Sequence, residues 1–209
     1  VNAGSNSVSA LAVLPDGLEL KATAPAGGTM PISLAVHGHL VYVLNAGSNT
    51  ISGLRAADDG SLTPISGSTQ SLGTGAVAPT EVQFRPDGRV LLVTEKTSNT
   101  LDTFVVDESG RAGPAISHPA GGGTGAFGFA FARQDLAVVS DSGSDSASSY
   151  RVTATGGIVV ETASTPNNGQ AAPCWLVVTQ NSKFAYTANA GAGTISGYRV
   201  GNEGQLSAI

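Results

Sequence analysis

The chain has 209 residues, 41% of them hydrophobic and 12% charged, with a formal net charge of −5 at pH 7. That is enough apolar material for a core, and the lack of basic runs or aromatic–basic interleaving argues against a nucleic-acid partner. No apolar stretch approaches the length of a membrane span, and no window keeps helical spacing over three turns, so almost no helix is expected.

The chain opens on Asn2-Ala3-Gly4-Ser5-Asn6-Ser7-Val8-Ser9-Ala10-Leu11, and this stretch returns four times. The later copies begin at Asn45, Glu95, Asp141 and Asn189, with spacings of 43, 50, 46 and 48 residues. A period in this range marks a repeat architecture. An apolar run precedes each later copy: Leu40-Val41-Tyr42-Val43, Val90-Leu91-Leu92-Val93, Leu136-Ala137-Val138-Val139 and Phe184-Ala185-Tyr186-Thr187. Each run is short, rich in β-branched or aromatic residues and stopped by Asn, Gly or Ser, which reads as a buried strand. The alternation Thr50-Ile51-Ser52-Gly53-Leu54 reads as its hairpin partner. Leu11, Leu54, Phe104, Tyr150 and Tyr198 then hold equivalent positions on third strands and are expected to pack between sheets.

Two further strands complete the unit. An outer strand follows the turns Asp16-Gly17, Asp59-Gly60, Ser109-Gly110, Gly156-Gly157 and Glu203-Gly204. An inner strand is expected to begin near Ile32, Thr80, Phe127 and Cys174. Four antiparallel strands per repeat make a propeller blade, with the inner strands around a central channel. The fold class is therefore all-β, a β-propeller of about four and a half blades. The single domain spans residues 1–209, with a half blade at 1–25 and blades at 31–68, 79–117, 126–163 and 173–209. Closed propellers have whole blades, so the chain is expected to be part of a longer one, and a five-bladed ring with one half blade is the alternative. The remaining blades would come from missing sequence or another chain.

The residues near the inner-strand ends are the candidate site. Thr80, Glu81, Arg85, Glu95, Cys174 and Trp175 are placed at the channel mouth, where they would meet a small ligand or a protein partner. His37 and His39 flank a short turn with no third ligand adjacent, so no metal is expected, and no cofactor motif occurs. Cys174 is the only cysteine and has no sequence-near base to activate it. A wet channel is expected to hold Glu81 near its ordinary pKa.

The run Val41-Tyr42-Val43-Leu44-Asn45-Ala46-Gly47-Ser48-Asn49-Thr50-Ile51-Ser52, with Pro86-Asp87-Gly88 before a later strand, resembles the lactonase-like seven-bladed β-propellers. These include a bacterial phosphogluconolactonase and a fungal carboxymuconate lactonising enzyme, and overlap the propellers named for a Tyr-Val-Thr-Asn repeat. The resemblance implies a seven-bladed ring and a lactone chemistry. In catalytic relatives a histidine commonly follows the proline that opens an inner strand. Here those positions hold Ile32, Thr80, Phe127 and Cys174. The expected function is therefore a binding or scaffold propeller that does not hydrolyse simple lactones. The alternative is a lactonase-class enzyme, either a lactone hydrolase or a muconate cycloisomerase-like protein. The low lysine content, with abundant Gly, Ser, Thr and Asn, points to a bacterial protein outside the cytoplasm, periplasmic or extracellular.

Overall fold

The computed structural model describes residues 1–73, 75, 76 and 78–209. Apart from one 3-10 turn at Ala3–Ser5, all regular structure among them is strand. Strands β1 (Ser7–Leu14) and β2 (Gly17–Pro25) form a two-stranded hairpin. The second sheet holds β3 (Pro31–His37), β4 (Leu40–Asn45), β5 (Thr50–Ala56) and β6 (Leu62–Pro64), and the short β7 (Gln70–Ser71) continues its outer edge on β5. The third holds β8 (Pro79–Phe84), β9 (Val90–Glu95), β10 (Thr100–Val105) and β11 (Ile116–Pro119). The fourth holds β12 (Ala126–Phe131), β13 (Leu136–Asp141), β14 (Ser146–Val152) and β15 (Ile158–Pro166). The fifth holds β16 (Pro173–Val178), β17 (Phe184–Asn189), β18 (Thr194–Val200) and β19 (Leu206–Ala208).

Each sheet is an antiparallel meander in chain order. The first strands β3, β8, β12 and β16 lie side by side, so they form the wall of the channel in a propeller arc. They begin one residue before the expected positions, at Pro31, Pro79, Ala126 and Pro173.

The recurring Asn/Asp explains the repeat. Asn6, Asn49, Asn99 and Asp145 all take positive φ, between 49° and 53°, a conformation these two residue types tolerate better than most. Their side chains then reach the start of the following blade. Asn6 Oδ1 accepts from Met30 N at 2.7 Å, Asn99 Oδ1 from Ala126 N at 3.3 Å and Asp145 Oδ1 from Ala172 N at 2.7 Å. The tight turn and the link between blades thus come from one residue.

The core lies between the sheets. Tyr42, Leu44 and Ile51 of the second sheet meet Leu91, Val93 and Phe104 of the third. Val90, Leu92 and Leu101 on the other side of the third sheet meet Phe129, Ala137, Val139 and Tyr150 of the fourth. Leu136, Val138 and Ala147 then meet Leu176, Ala185 and Tyr198 of the fifth. Leu54, Phe104, Tyr150 and Tyr198 are buried, each on the face turned to the preceding sheet. Leu11 departs from the expectation. It is exposed, because no sheet stands behind the β1–β2 hairpin.

A polar pair closes one corner of each blade. Asn45 Nδ2 donates to Ser52 Oγ and Asn189 Nδ2 to Ser196 Oγ, both at 2.9 Å. In the third sheet Glu95 and Asp102 hold these positions, and each finds another partner: Glu95 accepts from Ser98 Oγ and Asp102 from the Gly73 amide. In the fourth, Ser146 and Ser148 donate to Asp141 Oδ2. Burial pushes the Asp141 carboxyl up to about 6, against the lowering effect of the two serine bonds. A raised folded-state value means the stability it contributes is full below about 4 and lost as pH rises through about 6. The loss is at most about 3 kcal/mol by linkage. Asp141→Asn restores the pair found at Asn45 and Asn189, and is expected to remove this loss. Urea midpoints at pH 4.5 and 7.5 test it, and an unchanged difference between the two pH values would sink the assignment.

Candidate functional site on the channel wall

The six residues grouped by sequence do not form one site. Thr80 and Glu95 are buried inside the wall. The Thr80 hydroxyl lies 3.0 Å from Phe127 O and 2.8 Å from Thr94 Oγ1, and Ser98 Oγ donates to Glu95. Thr80 thereby joins β8 to β12, whereas Glu95 is held by the β9–β10 turn of its own sheet. Arg85 follows the far end of β8, a strand length from Thr80, because β8 runs away from that rim.

At the rim where the inner strands start, aromatic residues gather instead. Trp175 is 55% exposed. Its ring meets Phe127 edge-on, with centroids 5.5 Å apart, and Lys96 Nζ sits 5.5 Å from the Phe127 centroid. This makes a row of cation and rings across three blades. Cys174 Sγ points to a backbone carbonyl, Ala172 O at 3.5 Å, with no base against it.

Farther along the wall, β3 and β8 flank an open groove of about 360 Å³ lined by Leu34, Val36, His37, Glu81, Gln83 and Arg85, among others. Strand alternation brings Glu81, Gln83 and Arg85 to the same side of the chain. Glu81 Oε1 accepts from Gln83 Nε2 at 2.6 Å, and Oε2 accepts from the Phe129 amide at 2.8 Å. Gln83 Nε2 also donates to Phe129 O at 2.6 Å. β12 is the edge strand of its sheet, so the Phe129 amide and carbonyl face away from β13 toward β8.

The expectation of an ordinary Glu81 is corrected here. Burial raises its pKa, and the bonds from Gln83 and Phe129 only partly oppose this. These bonds hold Glu81 between β8 and β12, and that packing is what desolvates it.

His37 borders the turn at Gly38 and His39 and is exposed, as a residue beside a solvated turn would be. It ends β3, and its ring packs 5.7 Å from Phe84. The glycine at Gly88 makes room for it, since a Cβ there would come within 2.2 Å of His37 Cδ2. Period-two spacing from Ser33 was the available signal for placing His37 on the wall. Arg85 Nε donates to Val152 O at 3.0 Å, and Nη1 pairs with Asp87. These bonds fix the guanidinium plane while leaving further donors. His37, Glu81 and Arg85 thus line one open groove.

Residues 32–129 match the family model described as "Lactonase, 7-bladed beta-propeller". No curated protein matches the chain by sequence. Among solved structures, a Lactobacillus plantarum protein is similar, at 20% identity and a TM-score of 0.78 over 96% of this chain. A periplasmic gluconolactonase of Pseudomonas aeruginosa is similar at 16% identity, with a TM-score of 0.75 over 97% of this chain and 67% of its own. A putative 6-phosphogluconolactonase of Bacteroides fragilis is similar at 16% identity, with a TM-score of 0.77, over all of this chain and 68% of its own. The chain spans 62% of the length of the Lactobacillus plantarum protein. The fold of this chain is an arc of a β-propeller, and its residues 32–129 match the lactonase family of seven-bladed propellers.

Proposed function

We propose that this chain supplies the wall of a lactonase-class active site that opens a cyclic ester of a sugar acid. The observation that carries the reading is the open groove between β3 and β8, which His37, Glu81 and Arg85 all line. The names of the similar gluconolactonases support it.

In this reading Glu81 takes a proton from a water as the water oxygen bonds to the lactone carbonyl carbon. The electron pair displaced onto the carbonyl oxygen makes an oxyanion, and the Arg85 guanidinium stabilises it. Collapse breaks the bond to the ring oxygen, which leaves with a proton from His37 or from protonated Glu81. One water is consumed and one hydroxy acid forms. A base that works near neutral pH needs a pKa near that pH, and burial moves Glu81 in that direction.

A second reading rests on the rim. Exposed Trp175 and Lys96, with half-buried Phe127 between them, suit a ring that carries negative charge, and binding there requires no turnover. A panel of simple and phosphorylated sugar lactones separates the two. Ring opening well above the uncatalysed rate is expected. Saturable binding without turnover would leave the rim reading standing and remove the hydrolase.

A further inference from the structure

Glu81 and Gln83 are alternate residues of β8, both half-buried at the groove, and their side chains meet the edge of β12 as a neighbouring strand would. The amide and carbonyl of one strand residue point to the same side. Those of Phe129 point at β8, where Glu81 Oε2 accepts from the amide at 2.8 Å and Gln83 Nε2 donates to the carbonyl at 2.6 Å. The same Gln83 nitrogen donates to Glu81 Oε1 at 2.6 Å. Both of its hydrogens are therefore in use. Turning the carboxamide over would set its oxygen against a carbonyl and a carboxylate, neither of which can donate, so its orientation is fixed by chemistry. Each Glu81 oxygen takes one of these bonds and keeps a second lone-pair direction.

The other inner joints do without such a pair. Between β3 and β8, Ser33 Oγ accepts from the Val82 amide at 3.2 Å. Between β12 and β16 the backbones come close, since a Cβ on Gly128 would lie 2.6 Å from Cys174 O, and the Ser140 hydroxyl donates to that carbonyl. Hydroxyls and a glycine are enough to join inner strands, and between β8 and β12 Thr80 already supplies a hydroxyl to Phe127 O. A carboxylate with its own locked donor adds what a hydroxyl joint lacks, a group that exchanges a proton while its plane is held. Burial raises the Glu81 value, and the Gln83 bond is the larger of the two that oppose it.

We propose that Gln83 is the positioning residue for Glu81: clamped on the Phe129 carbonyl, its carboxamide fixes the plane of the Glu81 carboxylate at the groove. This role rests on reading Glu81 as the general base, but the clamp is measurable without turnover. The other titratable groups that line the groove are His37 and Arg85. Strand β12 carries none. On β9, Thr94 is the partner of Glu81, so Glu95 falls on the opposite face, and Lys96 lies over the Phe127 ring.

Gln83→Leu keeps a similar volume and removes both donated bonds. Losing a donor to the ionised form favours the neutral acid. The Phe129 amide, bonded to Glu81, reports its titration in a proton–nitrogen correlation spectrum, and the inflection is expected at higher pH in Gln83→Leu than in the wild type. Thr103→Val is the structural control. Thr103 Oγ1 donates to Gly156 O at 2.6 Å, which ties the same two sheets without touching Glu81. It should lower the urea midpoint and leave the inflection in place. In lactone opening, Gln83→Leu should lose up to about 10²-fold in kcat/KM, as a slightly misplaced group does, and its acid limb should move to higher pH. Added to Glu81→Gln, it should cost nothing further, because it acts through Glu81. An unmoved inflection in Gln83→Leu, or the same shift in Thr103→Val, would reduce Gln83 to a tie between blades and overturn the role. A moved inflection with no lactone turnover in the wild type would support the clamp and remove the hydrolase. Should Gln83→Leu not fold, the side-chain amide protons of wild-type Gln83 decide. Both should shift with the Phe129 inflection, and protons indifferent to pH would overturn the clamp.

Discussion

Glu81→Gln is expected to lower kcat/KM for lactone opening by about 10²- to 10⁴-fold, the usual contribution of a positioned general base. Glutamine keeps an oxygen to accept the Phe129 amide, so the wall between β8 and β12 should hold. What it loses is the capacity to take a proton from water. The pH profile carries the finer part of the prediction. A base is active when ionised, and burial raises the Glu81 value above that of an ordinary glutamate. The rate should therefore fall with acid on a limb that lies above the usual carboxylate range, and the residual rate of Glu81→Gln should lack that limb. Stopped-flow or pH-stat assays of both proteins measure this. Unchanged turnover in Glu81→Gln would move the chemistry to other residues.

Phe104→Ala is expected to cost about 3–5 kcal/mol of stability, the range for removing a large buried aromatic side chain. Phe104 is fully buried between the second and third sheets, in the cluster with Tyr42, Leu44 and Leu91. Such clusters fill the joints between blades, so the cavity would open in a joint rather than inside a sheet. Leu11→Ala is the comparison. Leu11 holds the same repeat position but is exposed, and its loss should move the urea midpoint little. Equal shifts for the two variants would show that the assignment of buried faces is wrong.

The arc itself was legible because a propeller repeats its local code. Hydrophobic runs mark second strands, and Asn49, Asn99 and Asp145 mark turns that need positive φ. The prolines before β3, β8 and β16 mark the inner strands. These are short-range effects of backbone sterics and alternation, and they recur in each blade. The site was less legible. Thr80 and Glu95 carry polar groups that suit a mouth, yet both are used inside the wall. Lys96, Phe127 and Trp175 are far apart in sequence, and only the curvature of the arc brings them into one row.

By itself, the sequence determined the strand order, the register of the repeat and the residues that turn toward a neighbouring blade. Periodicity of two and turn chemistry are enough for that. The tertiary structure alone decided which polar residues face the groove and which are spent inside the wall. It raised the pKa of Glu81 and of Asp141, because desolvation depends on what packs around a carboxyl. It also separated Leu11 from Leu54, two leucines in one repeat position with opposite exposure. A residue's repeat position sets the direction of its side chain, but only the neighbouring sheet sets whether water remains there.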